Sequence, residues 1–281
     1  DAGVAGGLTL GVVQSEYVGF AGVAPVMIYL AEKDEFITLS GLGPWPKAAR
    51  LEVFQNEHGG AMPPGLLRTV VPAAPQSWIT ALERYGTISF GEAVAAAHRF
   101  ASQGFPVPTL MCEVITKGEK AYRQWDQTAA IYLPGGKPPQ PGDVLVQSDL
   151  GNVIGYMIDE EKAAAAKGGR AAGLKAARDA FYRGDIAVKM VRYHIENDGW
   201  LRHEDLADFE VDIAPALTSH FDGAEILTCG PWGQGPLIGQ TFNMLDGINL
   251  KGMGHNSTAY IHHLTEVFKL AYADRHAYIG D

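Results

Sequence analysis

The sequence predicts a layered α+β protein, and three observations carry that prediction. Two short apolar runs, Val26–Leu30 and Phe36–Leu39, flank the charged linker Ala31–Glu35 and read as a β-hairpin. Later stretches place apolar residues at helical spacing over three turns or more. Regular strand–helix–strand alternation, the mark of a doubly wound parallel sheet, is sparse.

The elements follow in order. Asp1–Leu8 is rich in small residues and reads like the middle of a buried helix, so the chain is expected to be part of a longer one. Residues 8–40 read as β-rich and glycine-rich. After the hairpin, Gly41, Gly43, Pro44 and Pro46 stop the strand and force an irregular loop. That loop, TLSGLGPWPKAA from Thr38, carries no acidic or guanidinium side chain. Its bulky residues are Leu42 and Trp45, which either offer a binding surface on a rigid strand end or simply cap a core.

Residues 72–104 read as two helices. Trp78, Ile79, Leu82 and Tyr85 share helical spacing, and Gly86 follows as a stop. Ser89 and Glu92 have the spacing of a capping box, and Gly104 and Pro106 close the second helix. PGGKPPQPGD, 134–143, reads as a rigid exposed loop. AAAAKGGRAAG, within 155–183, reads as a solvated helical insertion. Residues 186–209 read as one helix and a second short one near Arg202–Leu206. Ala224–Cys229 reads as a strand that runs through GPWGQGP into an apolar helix, Leu237–Leu245. The last helix is expected over Thr258–Tyr278, with Ile261, Leu264, Phe268, Ala271 and Tyr272 facing a core.

Composition bounds the function. The 281 residues are 47% hydrophobic and 19% charged, which is globular. The net charge is −10 with no dense basic block, so nucleic acid is not an expected partner. No apolar run approaches the roughly 20 residues of a membrane span. Cys112 and Cys229 lie far apart and form no disulfide framework.

Motifs for chemistry are few. The glycine-rich turn after Cys229 matches neither GxGxxG nor GxxxxGK[ST], so nucleotide binding is not expected. His262 and Glu266 stand four residues apart on a helix, with His255 and His263 nearby, yet HExxH is absent. No metal and no cofactor are expected. No GxSxG elbow and no cysteine-protease signature supplies a nucleophile. Any catalysis therefore needs a group outside this chain.

Several stretches resemble a known family. TEVFKLAYADRHAYIGD, from Thr265, resembles the E-x-x-K-x-A-Y-A-D-R-x-x-Y-x-G-D stretch of γ-glutamyltranspeptidases. WLRHEDLADFE, from Trp200, resembles their L-T-x-E-D-L-A-x-Y segment. ALERYGTISFGEAVAAAHRFASQGFPV, DAFYRGDIA and the region Asp1–Tyr29 resemble further family segments, in the same order along the chain.

The resemblance implies an αββα N-terminal-nucleophile hydrolase sandwich, completed by a small subunit not in this chain. Residues 1–281 would be a single domain, most of a large subunit, with the N-terminal segment, C-terminal end and small subunit absent. A precursor would cut itself, and the new N-terminal threonine of the small subunit would be the nucleophile. The partners implied are that subunit and a small-molecule amide. A dimer of heterodimers is possible within the family, and both cytoplasmic and periplasmic members fit.

The departures from the family pattern bear on substrate. Family members with γ-glutamyl specificity read D-x-R-E-x-A-P at the strand end, where the arginine clamps the substrate carboxylate. Aligning Trp45-Pro46 with A-P puts Leu42 and Gly43 at Arg-Glu, and no arginine occurs from Asp1 to Ala49. GFAGVAP, from Gly19, stands for a run of four glycines, and GPWGQGP for P-P-P-S-S-G-G. The expected function is an amide hydrolase acting on a small amide or an acylated amine. Leu42 and Trp45 would line the acyl pocket, and Gly41 and Gly43 would shape it. The alternatives are a genuine γ-glutamyl enzyme clamped by Arg50 or Arg68, and a non-catalytic binding or scaffold member.

Overall fold

A computed structural model describes residues 1–279. Gly280 and Asp281, the last residues of the TEVFKLAYADRHAYIGD stretch, lie outside the described residues. In chain order the elements are α1 (Ala2–Val13), β1 (Val26–Leu30), β2 (Glu35–Leu39), α2 (Leu51–Glu57), α3 (Ala74–Tyr85), α4 (Phe90–Gln103) and β3 (Phe105–Pro106). Then come α5 (Thr109–Tyr122), α6 (Asp126–Tyr132), β4 (Val144–Leu145), α7 (Ser148–Tyr182), α8 (Asp185–Glu196) and α9 (His203–Ala207). The chain continues with β5 (Ile213–Pro215), β6 (Leu217–Phe221), β7 (Ala224–Thr228), α10 (Gly235–Leu245), α11 (Leu250–Met253) and α12 (Thr258–Tyr278). The fold is α+β, as the sequence predicts.

The chain packs as two compact units. One comprises 1–24 and 43–210, the other 25–42 and 211–281. The first is mostly helical. Its core lies where α4 packs between α1 and α7, and α3 also packs on α7. Leu8, Ile79, Leu82, Phe90, Met111, Ile115, Met157 and Leu174 are fully buried there. Each contributes roughly 1.5–3 kcal/mol by leaving water.

Two carboxylates hold the start of α4 in this unit. Ser89 and Glu92 form the expected capping box on α4. Buried Glu161 accepts the N–H groups of Phe90 and Gly91, both at 2.6 Å, where helix N-termini leave donors free. The expected solvated insertion is real but confined. The residues around Gly168 are exposed, and the α7 backbone breaks at Gly169, with φ of 74°. The arms on either side are buried at Ile154, Met157, Leu174 and Phe181. Residues 8–13, read as part of a β-rich stretch, belong instead to α1: Leu8 and Val12 are one turn apart and both face the core.

In the second unit β1, β2 and β5 form an antiparallel sheet, with Ile28 opposite Ile37 and Thr38 opposite Ala214. The β6–β7 hairpin packs on α10, and α10 packs on α12. The last helix has the expected bounds but not the expected core. Only Ala271 of the five predicted residues is buried, beside Val267, while Ile261 is 52% exposed and Phe268 43%. Leu264 and Phe268 instead line an open apolar cavity of about 560 Å³ with Leu237 and Phe242 of α10. Helical spacing defines a face, but says nothing of what covers it.

Candidate substrate loop

The loop after β2 crosses from one unit to the other between Leu42 and Gly43. In the second unit, the Ser40 N–H donates to the Asp212 carbonyl at 2.9 Å and closes the strand end. Gly41 is buried and takes φ of 51°, a left-handed conformation that costs glycine little. Leu42 is half-buried.

In the first unit, Gly43 has no room for a side chain. A Cβ there would lie 1.6 Å from the Val71 carbonyl oxygen. Val71 is itself held to the loop, because its N–H donates to the Pro44 carbonyl at 2.9 Å. A glutamate or arginine cannot occupy this backbone position without moving the chain.

Trp45 follows, between two prolines, which restrict its backbone and that of Gly43 to extended conformations. The residue is 44% exposed, and its indole meets Phe54 of α2 edge-on, with centroids 5.9 Å apart at 67°. Buried Phe54 meets Trp200 in the same way, at 5.2 Å and 74°. Lys47 then ties the loop to α9. Its backbone N–H donates to Asp205 Oδ1 at 2.9 Å, and its ammonium meets Asp208 at 2.6 Å. The hydrogen bond to Asp208 holds the Lys47 ammonium above the ordinary lysine range. Asp205 is buried, and its other oxygen accepts the Arg202 N–H at 2.8 Å.

Trp200, Asp205 and Asp208 all belong to WLRHEDLADFE. Sequence reasoning quoted that segment for its resemblance and missed what it holds. The visible signal was a short acidic helix start beside a tryptophan, but its target lies 158 residues away.

The two alternative clamp residues, Arg50 and Arg68, both lie in the first unit. The Arg68 guanidinium is engaged by carbonyls of its own loop, with Nε donating to Pro63 at 2.9 Å and a terminal nitrogen to Met62 at 2.8 Å. Arg50 is exposed at the start of α2.

The other two altered loops are also well defined. The Gly22 carbonyl accepts the N–H groups of Ala73 and Ala74 at 2.9 and 2.8 Å, at the start of α3. Phe20 is buried, with the Gly11 backbone so close to it that a Cβ on Gly11 would lie 2.9 Å from the Phe20 Cα. In the second unit, GPWGQGP folds over Cys229. A Cβ on Gly235 would lie 1.9 Å from the Cys229 carbonyl oxygen. Gln234 Oε1 accepts from Arg275 Nε at 2.5 Å, and Gln240 donates to Asp274. Asp274 and Arg275 come from the A-D-R stretch of α12.

His262 and Glu266 lie on α12, where the Lys269 ammonium binds the Glu266 carboxylate and holds its pKa below the usual range. Among the described residues no three His, Cys, Asp or Glu side chains converge. Cys112 and Cys229 are both free. No described helix is long and apolar enough to cross a membrane.

Comparison with known proteins places this geometry in a family. The family model described as gamma-glutamyltranspeptidase matches residues 1–281. The acylase ACY 1 proenzyme of Pseudomonas sp. (strain SE83) is 30% identical over 286 residues, covering 98% of this chain and 48% of the relative. The glutathione hydrolase proenzyme of Bacillus subtilis (strain 168) is 27% identical over 289 residues, covering 100% of this chain and 46% of the relative. The chain thus spans about half the length of the curated relatives it matches. The crystal structure of Helicobacter pylori gamma-glutamyltranspeptidase superposes with a TM-score of 0.87 at 23% identity, over 99% of this chain and 77% of that one. That likeness shows the fold, an N-terminal-nucleophile hydrolase fold. The chain belongs to the γ-glutamyltranspeptidase family.

Proposed function

We propose that residues 1–281 form a single domain, most of the large subunit of a self-processing amide hydrolase, and that its substrate is not a γ-glutamyl compound. The nucleophile would be the N-terminal threonine of a small subunit cut from the same precursor, which the proenzyme relatives support. The substrate would be a small amide or an acylated amine. Leu42 and Trp45 would line its acyl pocket, shaped by Gly41 and Gly43.

The observation that carries the substrate reading is the missing guanidinium: Leu42 stands where the family pattern has its arginine. The loop holds no guanidinium, and the Val71 carbonyl fills the space a side chain at Gly43 would need. A γ-glutamyl substrate brings a carboxylate. Removing one partner of a buried ion pair costs about 3–5 kcal/mol, or about two to four orders of magnitude in affinity. Engagement of Arg68 by Pro63 and Met62 weighs against a substitute clamp.

The test uses the full-length gene product. Denaturing mass measurement is expected to give two chains, the smaller beginning at threonine. The processed protein is expected to turn over simple amides or acylated amines at least a hundredfold better, in kcat/KM, than γ-glutamyl-4-nitroanilide. Preference for the γ-glutamyl anilide would overturn the substrate reading. A single uncut chain would replace the enzyme reading with a binding or scaffold role.

A further inference from the structure

Trp45 is fixed from both sides. Before it, the Pro44 carbonyl accepts the Val71 N–H. After it, the Lys47 N–H is held by a buried carboxylate. Behind it stands a ladder of two further rings, Phe54 and Trp200. Trp45 nevertheless remains 44% exposed. Ordering such a side chain on binding costs little further entropy, because its backbone is already set by two prolines and two hydrogen bonds. The nearest cation along the chain, Lys47, is engaged by Asp208.

We propose that segment 200–208 is the positioning element of the substrate loop, with Asp205 as its key positioning residue, and that it presents Trp45 as a stacking platform for a flat aromatic acyl group. The inference rests on the reading of this loop as the acyl site and names the substrate class within it. An outward indole face with its neighbouring ammonium already paired suits an uncharged ring better than a carboxylate. It also separates aryl from alkyl groups. Ring–ring contacts add about 0.5–1.5 kcal/mol beyond buried area, a preference of about 2- to 10-fold. Asp205 touches no substrate in this scheme. It acts by holding the Lys47 and Arg202 N–H groups together, so that the loop and α9 keep one geometry.

The experiment compares phenylacetyl- and hexanoyl-4-nitroanilide, which share a leaving group, on the full-length processed protein. Tryptophan fluorescence titrations with phenylacetate and hexanoate run beside it. The wild-type protein is expected to prefer the phenylacetyl compound by about 2- to 10-fold in kcat/KM and in affinity. Trp45→Leu should bring that ratio to about one. Asp205→Asn should raise KM for the phenylacetyl substrate about tenfold, with kcat within about threefold, and should lower the ratio. A purely structural Asp205 would lower thermal stability and leave the ratio intact, which would overturn the positioning role. Should Asp205→Asn not fold, Phe54→Leu, which breaks the ladder between Trp45 and Trp200, takes its place. If neither anilide is turned over, the titrations decide this inference: phenylacetate preference lost in Trp45→Leu upholds the platform, and equal binding of both acids overturns it.

Discussion

Two loops of this chain are built alike and held differently. GLGPWP, 41–46, and GPWGQGP, 230–236, each combine glycine, proline and one tryptophan. Each contains a glycine pressed against a carbonyl oxygen, Gly43 on Val71 and Gly235 on Cys229. Each is tied to a helix distant in sequence. The first tie runs from a buried carboxylate, Asp205, to a backbone N–H, that of Lys47. The second runs between side chains at the surface, Gln234 to Arg275. A backbone tie to a buried carboxylate survives any change of side chain on the loop. A surface side-chain tie exchanges with water at little cost. The first loop is therefore preset, and the second is free to adjust.

The largest effects should come where the loops are alike. Gly43→Ala and Gly235→Ala each force a methyl into a carbonyl oxygen, and each is expected to cost about 3 kcal/mol or more. In a chain of this size that is a fall in Tm of roughly 6–12 °C, measurable by calorimetry of the full-length protein. A fall at Gly235 with none at Gly43 would break the likeness from which the comparison starts.

The next effect should separate them. Asp205→Ala removes a buried carboxylate that accepts two part-buried N–H groups and is expected to cost about 2–3 kcal/mol. Gln234→Ala removes one exposed contact and should stay within about 0.5 kcal/mol. Native-state hydrogen exchange sharpens the reading. In Asp205→Ala the Lys47 amide should lose protection while the Gly233 amide, bonded to the Gly230 carbonyl, keeps it. Equal losses at both amides would mean that Asp205 supports the fold at large rather than this loop.

The loops themselves were legible in the sequence, because glycine and proline act locally on backbone geometry. The hairpin, the Ser89–Glu92 box and the bounds of α10 and α12 were legible for the same reason. The ties were not. Asp205 satisfies the Arg202 N–H three residues away, which a capping rule can foresee. Its second bond, to Lys47, exists only once α9 and the loop meet in space. Burial was legible on α3, whose apolar residues meet α1 and α7. It was misread on α12, whose apolar face at Ile261 and Phe268 is left open. Residues 109–132 form α5 and α6 without a signal strong enough to be read, since α5 buries only Met111, Cys112 and Ile115. Of the candidate site, residue types and loop position were readable. The aromatic ladder and the closed slot at Gly43 required three-dimensional neighbours.

The smallest expected effect is one of pH, and it falls on one loop only. His194 is buried at the end of α8, and its Nδ1 has no hydrogen-bond partner among the described residues. The backbone of Gly199 lies against it, so close that a Cβ there would sit 2.2 Å from Nδ1. Burial, and then the nearby Arg202 guanidinium, push the His194 pKa below its ordinary value of 6.5. The folded state therefore binds its proton less readily than the unfolded chain. Between the two pKa values the unfolded state holds more protons, so stability rises with pH across that window. The contribution is complete above about pH 6.5 and is lost as pH falls toward the folded value. Gly199 leads directly into Trp200, Arg202 and Asp205, so the strain of protonation should reach the first loop. At pH 5.5, after correction for intrinsic rates, the Lys47 amide should exchange faster relative to pH 7.5, and the Gly233 amide should not. His194→Gln, which cannot titrate, should remove the difference. If both amides respond alike in the wild-type protein, the pH effect is global, and the first loop has no private route from His194 through Asp205.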